Sequence, residues 1–290
     1  MRPHNRLFAL LAFLATLLSA PAYATAAATV EAVQSPAWRD RGGISVPLAA
    51  GMELASGDVV RTGAGARAYL MLAEGSRVKL GEAARFTLHT RSMQPEKTLR
   101  GALDVLAGAF RFTTGKLAKG KSRDVSIRVG TATIGIRGTD VWGKTDKAGD
   151  LVALLEGRID ITRAGQVTEM AQPMSYYDAP AGKPAEVKPL DAETFARLAR
   201  QTDILTGDGA SRVKGKWRVL AGSAGSQAAA LEIYDQARDA GFAARIKPRE
   251  AEGDAWSYDV VLTGFASEAE AAVAAARLKA ASELKPGVIR

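Results

Sequence analysis

From Thr29 to Asp178 the chain alternates apolar and polar residues with a period of two. Ala68, Leu70 and Leu72 alternate with Arg67, Tyr69 and Met71, and Val78 and Leu80 with Arg77 and Lys79. The rhythm returns at Phe86 and Leu88, Leu103 and Val105, and Phe110 and Phe112, then across Val125–Val129 and at Ile159 and Ile161. Successive strand side chains point to opposite faces, so this alternation predicts half-buried strands. Turn signals separate the runs: Ser56-Gly57-Asp58, Thr62-Gly63-Ala64-Gly65, Glu74-Gly75-Ser76, Ala107-Gly108 and Glu156-Gly157. No long amphipathic helix interrupts. Residues 29–180 are therefore expected to form an all-β sandwich or roll.

The pattern then changes. Pro180, Pro184 and Pro189 punctuate a linker over 181–211. Asp191 can N-cap a short helix through Phe195, Leu198 and Ala199, and Gly207–Ser211 reads as a flexible break. Beyond it, residues 212–290 alternate strand and helix signals. Strands are expected at Lys216–Ala221, Phe242–Lys247, Trp256–Leu262 and Pro286–Ile289. Ser226 caps a first helix with the stripe Ala230, Ile233, Tyr234 and Ala237, and Gly241 closes it as a C′ glycine. Ser267 with Glu270 forms a capping box for a second helix, whose buried stripe is expected at Ala269, Ala272, Val273, Ala276 and Ala280. The order is βαββαβ, a small ferredoxin- or RNP-like α+β domain. The fold class is multidomain: a β sandwich or roll, then this α+β unit.

The N-terminus changes the cellular context. Arg2 and Arg6 precede an apolar run from Leu7 to Leu18, and small residues stand at Ala22 and Ala24. This is the form of a signal peptide over 1–24, cut after Ala24. The run is about a dozen residues, short of the roughly 20 that span a bilayer. The mature chain is expected beyond the inner membrane, with no transmembrane segment after cleavage. It has no Cys, so no disulfides and no lipid-bearing Cys after the signal. The net charge is +8, and removing Arg2 and Arg6 leaves +6. A moderately basic surface suits anionic polymers.

Candidate chemistry is thin. Gly138–Thr145 fits the pattern G-x-x-x-x-G-K-[ST], but turn residues and strand-like Leu151–Leu155 follow it, not a helix N-terminus to receive phosphate. Gly63-x-Gly65-x-x-Ala68 leads into a strand, and Ala221-Gly222-Ser223-Ala224-Gly225 lacks the first glycine of a nucleophile elbow. The mature chain has one His, His89, and no Cys, which argues against zinc amidases and thiol transpeptidases. No catalytic residues, metal ligands or cofactors are assigned. The expectation is a protein that is not an enzyme.

Two resemblances follow. Val46-Pro47-Leu48, Gly57-Asp58-Val59-Val60-Arg61-Thr62-Gly63, Ala68-Tyr69-Leu70, Glu74-Gly75-Ser76 and Leu80-Gly81 resemble, in order, the FecR-type domain of bacterial envelope proteins. The stretch Val129–Asp140 and then Leu155–Ile159 complete the likeness over positions 40–165. It implies periplasmic sensing beside a membrane regulator, although this chain lacks that family's membrane span and cytoplasmic segment. Arg137-Gly138-Thr139 is read as a structural motif: Gly135 and Gly138 allow a bend and Arg137 pairs with a carboxylate.

Trp217–Ser223, Ala240-Gly241-Phe242, Tyr258–Phe265 and Ser267–Ala271 resemble SPOR domains, which bind peptidoglycan glycan strands stripped of stem peptides. Leu220 and Val261 replace that family's usual first-strand Gln and third-strand Arg, and Ala224 a frequent aromatic. In that family these positions face the open sheet, and the candidate glycan-binding residues here are Arg218, Leu220, Arg245, Lys247, Arg249 and Asp259. Strand parity adds a reason. If Val219, Ala221, Ala244 and Ile246 face the helices, Arg218, Arg245, Lys247 and Arg249 form a basic row on the open face. Such a row can meet the lactyl carboxylates of stripped glycan. The alternative is a solvated basic face partly neutralised by Asp259. The expected function is therefore non-catalytic glycan binding in the periplasm by the second domain, with sensing or scaffolding by the first. An envelope protein is the second expected partner. The runner-up is a signalling partner of a membrane-bound regulator with a degenerate SPOR domain. No nucleic-acid partner is expected, because the open strands lack stacking aromatics.

Overall fold

The computed structural model describes residues 26–92, 98–115, 122–251 and 255–290. The proposed cleavage residues Ala22 and Ala24 fall outside them. The chain is mostly β, with 54% strand and 16% helix.

Fifteen strands precede the first helix: β1 Ala28–Gln34, β2 Ala37–Arg41, β3 Ile44–Pro47, β4 Glu53–Leu54, β5 Val59–Thr62, β6 Arg67–Leu72, β7 Arg77–Leu80, β8 Arg85–Ser92, β9 Thr98–Thr113, β10 Ser122–Val129, β11 Ala132–Asp146, β12 Gly149–Arg163, β13 Gln166–Met170, β14 Ser175–Pro180 and β15 Glu186–Pro189. Three of them, β9, β11 and β12, are too long for one flat sheet, and each is shared between two. The first half of β9 lies between β8 and β10, and its second half between β7 and β11. Likewise β11 pairs with β10 through its first half and with the second half of β9 through its second. Each long strand turns its corner at a glycine of positive φ: Gly108 (81°), Gly138 (65°) and Gly157 (86°). A Cβ at Gly157 would stand 2.5 Å from the Gly138 carbonyl oxygen, so the corner has no room for a side chain. The result is a roll of two sheets, as the alternation predicted. The alternating apolar positions, Leu70, Val78, Phe86, Leu103, Phe112, Ile127 and Ile161, all lie in the shared core.

The phosphate-loop-like stretch Gly138–Thr145 runs inside β11, with no helix after it. Gly138 occupies the bulge where the β11–β12 register shifts between Arg137 and Asp140. Gly135 is ordinary strand, pairing with Asp160. The Arg137 side chain lies outside the described residues.

After β15 come α1 (Ala192–Thr202) and β16 (Ser211–Arg212). Asp191 caps α1 by accepting from the Thr194 amide at 2.7 Å. Leu198 and Phe195 pack on Trp142, which faces out of β11 away from the roll's core.

The C-terminal unit runs β17 (Trp217–Ala224), α2 (Gln227–Asp239), β18 (Ala244–Glu250), β19 (Trp256–Phe265), α3 (Glu268–Ala281) and β20 (Gly287–Ile289). Its antiparallel sheet has the order β18-β19-β17-β20, with both helices on one face. Ser226 and Ser267 cap the helices as expected, and Gly241 ends α2 at φ 82°. The buried face of α3 differs from expectation. Ala271, Ala274, Ala275 and Leu278 are buried, while Ala269, Ala272, Ala276 and Ala280 are exposed. The helix is alanine-rich around its whole circumference, so apolarity alone gave no phase; Leu278 and Glu270 set it.

Glu270 is also diverted from the expected capping box. Its carboxylate accepts from the amides of Gly207 (2.8 Å), Gly209 (2.5 Å) and Ala210 (2.9 Å), not from Ser267. The stretch read as a flexible break is thus fastened to α3. Beside it β16 pairs with β1 at Ala32↔Arg212 and with β19 at Ser211↔Phe265, so one sheet of the roll continues into the C-terminal sheet. Arg277 donates to the Gly65 carbonyl at 3.0 Å across the same junction.

Candidate functional site

The open face of the C-terminal sheet is set by strand parity. On β17, Val219 and Ala221 are buried against the helices and Arg218 and Leu220 point the other way. The register then slips between Leu220 and Gly222, so Gly222 also faces the helices, where an added Cβ would meet Ile233 at 3.1 Å. That bulge returns Ser223 to the open face. On β18, Ala244 and Ile246 pack on the core, and Arg245, Lys247 and Arg249 are exposed.

Cross-strand register assembles these positions. Val261 lies between Leu220 and Arg245, and Asp259 between Ser223 and Lys247. Asp259 accepts from the Ser223 hydroxyl at 2.6 Å and from Arg249 Nε at 3.2 Å. Arg245 and Lys247 make no ion pair among the described residues. Arg218 is directed to the other edge, where it donates to the Arg290 carbonyl. The structure therefore brings Arg245, Lys247, Arg249 and Asp259 together beside Leu220, and sets Arg218 apart. The centre is apolar, with Val261 only 1% exposed.

The face offers two exposed cations without a carboxylate partner, Arg245 and Lys247, one already paired, Arg249, and half-buried Leu220 beside the buried Val261. It can bind a negatively charged polymer chiefly by charge. It holds no nucleophile–base pair. No group of three or more His, Asp or Glu suited to a metal occurs among the described residues. His89 is half-exposed, 3.4 Å from Asp104.

Sequence reading missed the cations that lead up to this face. Arg212, Lys214 and Lys216 cluster in sequence, but 213–216 form the turn between β16 and β17, so no strand period marks them.

The fold and the face define a two-domain, β-rich protein whose helices cover one side of its C-terminal sheet. Residues 58–160 match the family described as FecR protein, and residues 213–290 match the SPOR domain. The chain thus carries a FecR domain followed by a SPOR domain. SPOR domains bind peptidoglycan, and both families are associated with the cell envelope. No helix among the described residues is long and apolar enough to cross a membrane. No curated protein matches this chain. Two solved structures of candidate anti-sigma factors from Parabacteroides distasonis ATCC 8503 are similar, each with a TM-score of 0.38. One is 15% identical, covering 48% of this chain and 62% of its own; the other is 13% identical, covering 67% and 95%. At that TM-score neither carries an argument about fold or function.

Proposed function

We propose that this is a non-catalytic protein of the periplasm that binds peptidoglycan glycan strands through the open face of its SPOR domain. The FecR domain serves as the sensing or scaffolding part. The observation that carries the reading is the exposed row Arg245, Lys247 and Arg249 on β18, of which only Arg249 has a carboxylate partner among the described residues. Glycan freed of stem peptides presents a carboxylate on alternate sugars, which exposed guanidinium and ammonium groups can meet. The signal-like start, Leu7–Leu18 followed by Ala22 and Ala24, supports the location.

A second reading is favoured by one observation. Val261 fills the middle of the face with a closed apolar side chain opposite Leu220. Under that reading the glycan site is degenerate and the protein is a signalling partner of a membrane-bound regulator. Co-sedimentation with sacculi separates the two. The first reading expects binding that increases after an amidase removes the stem peptides. Absence of binding to stripped sacculi overturns it and favours the second.

A further inference from the structure

A cleft of about 240 Å3 opens where the two domains meet. One wall comes from the FecR domain, with Ser35 and Leu48. The other comes from the SPOR domain, with Arg245 and Thr263. The connector between them supplies the lip, with Arg212 and Lys214. No Asp or Glu lines the cleft, so three cations converge there without a carboxylate. None of the three makes an ion pair among the described residues.

The lip is held in an unfavourable shape. Lys214 has φ 80°, in the left-handed region that long side chains avoid at a cost of order 1–3 kcal/mol. Gly215 beside it is pressed so close to Gly264 that a Cβ would stand 2.2 Å from the carbonyl carbon. The surrounding backbone therefore dictates where Lys214 sits. Like charges gathered in a partly enclosed site repel one another unless an anion joins them. Beside the polar Ser35, Ser211 and Thr263, the lining includes apolar Val33, Leu48 and Phe242. A bare inorganic anion would leave that part unfilled. The volume corresponds to roughly eight waters at about 30 Å3 each, hence to a ligand of about ten non-hydrogen atoms.

We propose that this interdomain cleft is a binding site for a small carboxylate with a short apolar flank, adjoining the glycan face through Arg245, which borders both. Arg212 and Lys214 hold the carboxylate, and the Leu48 wall receives the apolar part. Because the walls belong to different domains, the ligand favours their docked arrangement, and docking favours the ligand by the same factor. That gives the FecR domain a small-molecule input which needs no glycan.

Titration of the 15N-labelled full chain with sodium hexanoate tests this, with 1-hexanol, hexylammonium chloride and inorganic phosphate as counterparts. Saturable amide shifts are expected on both walls, at Ser35, Ala49, Gly215 and Thr263. Hexanoate should bind at least about tenfold more tightly than hexanol or phosphate, the scale of a charge-assisted hydrogen bond, and hexylammonium should leave these amides unmoved. Lys214→Ser and Arg212→Ser should each weaken hexanoate about tenfold, whereas Arg249→Ser, on the glycan face, should not. Shifts elsewhere only, an equal response to hexanol or phosphate, or undiminished affinity in both Ser variants would each overturn the assignment. The wild-type map decides the matter even if a variant fails to fold. Glycan plays no part in the readout, and Arg212→Ser and Lys214→Ser leave the row Arg245, Lys247 and Arg249 intact, so failure of the cleft is distinguishable from failure of the glycan face.

Discussion

The FecR domain and the SPOR domain with its connector use their arginines in opposite ways. In the FecR domain, Arg41 grips Asp58, Arg61 grips Asp40, Arg111 grips Asp140 and Arg77 grips Glu31, each donating from Nε and one terminal nitrogen to the two carboxylate oxygens. From Arg212 onward, Arg212, Lys214, Lys216, Arg245 and Lys247 have no carboxylate partner among the described residues, whereas Arg249 pairs with Asp259. Forked pairs fix geometry, and here they tie strands of the roll together, Arg77 reaching Glu31 across β6. Open cations stabilise nothing within the chain. The contrast separates charge used to build the fold from charge left for a partner.

The largest effect should come from breaking a forked pair. Asp140 is nearly buried, and Arg111 also lies over the Phe195 ring. Asp140→Ala leaves that guanidinium without its carboxylate and should destabilise the FecR domain by about 3 kcal/mol in chemical denaturation. An effect under about 0.5 kcal/mol would erase the contrast with surface cations.

Glu270→Ala should come next. It orphans three amides at the junction and should cost about 2 kcal/mol there. The readout is limited proteolysis, with cleavage between 205 and 211 about thirtyfold faster while both domains stay resistant. Unchanged cleavage would mean that the β16 pairings alone hold the junction.

Acid should expose the pairing more gently. Hydrogen bonds from Arg61 hold the Asp40 carboxyl below the usual carboxylate range. Burial pushes Asp58 up, but hydrogen bonds from Arg41 and the Ala55 amide outweigh it and hold it low as well. Depressed carboxylates contribute stability above their unfolded value of 3.8, and that contribution is lost as pH falls through the folded value. Unfolding followed from pH 7 to 2 should therefore show these pairs contributing undiminished down to about pH 5 and failing below about 4. Loss of their contribution near neutrality would contradict the assignment.

Much of this architecture was legible from periodicity, because a half-buried strand writes its face into alternate residues. Val219, Ala221, Ala244 and Ile246 gave the open face before any coordinates, and Asp191, Ser226, Ser267 and Gly241 marked helix ends through backbone chemistry that acts within a turn. What escaped was non-local. Nothing near Glu270 reveals that its carboxylate captures amides some 60 residues earlier. The two-residue strand β16 is too short to carry a pattern, yet it joins the sheets. The corners at Gly108 and Gly157 read as turns between strands and Gly138 as a bend, although the strands run on through all three. In α3 the alanine-rich sequence left the buried face undefined. At the site, parity found Arg245, Lys247 and Arg249, but not that Arg218 turns to the Arg290 edge, since that contact depends on where the C-terminus lands.

The central claim is that open cations on β18 serve an anionic glycan. It is tested most directly by the affinity of the full chain for amidase-stripped sacculi, comparing wild type with Arg245→Ser/Lys247→Ser. Both positions are exposed, so each change should alter stability by no more than about 0.5 kcal/mol. The account predicts that the double variant binds at least about tenfold more weakly, and that wild-type binding falls as salt rises because exposed charges are screened. Equal binding by a folded double variant would contradict it.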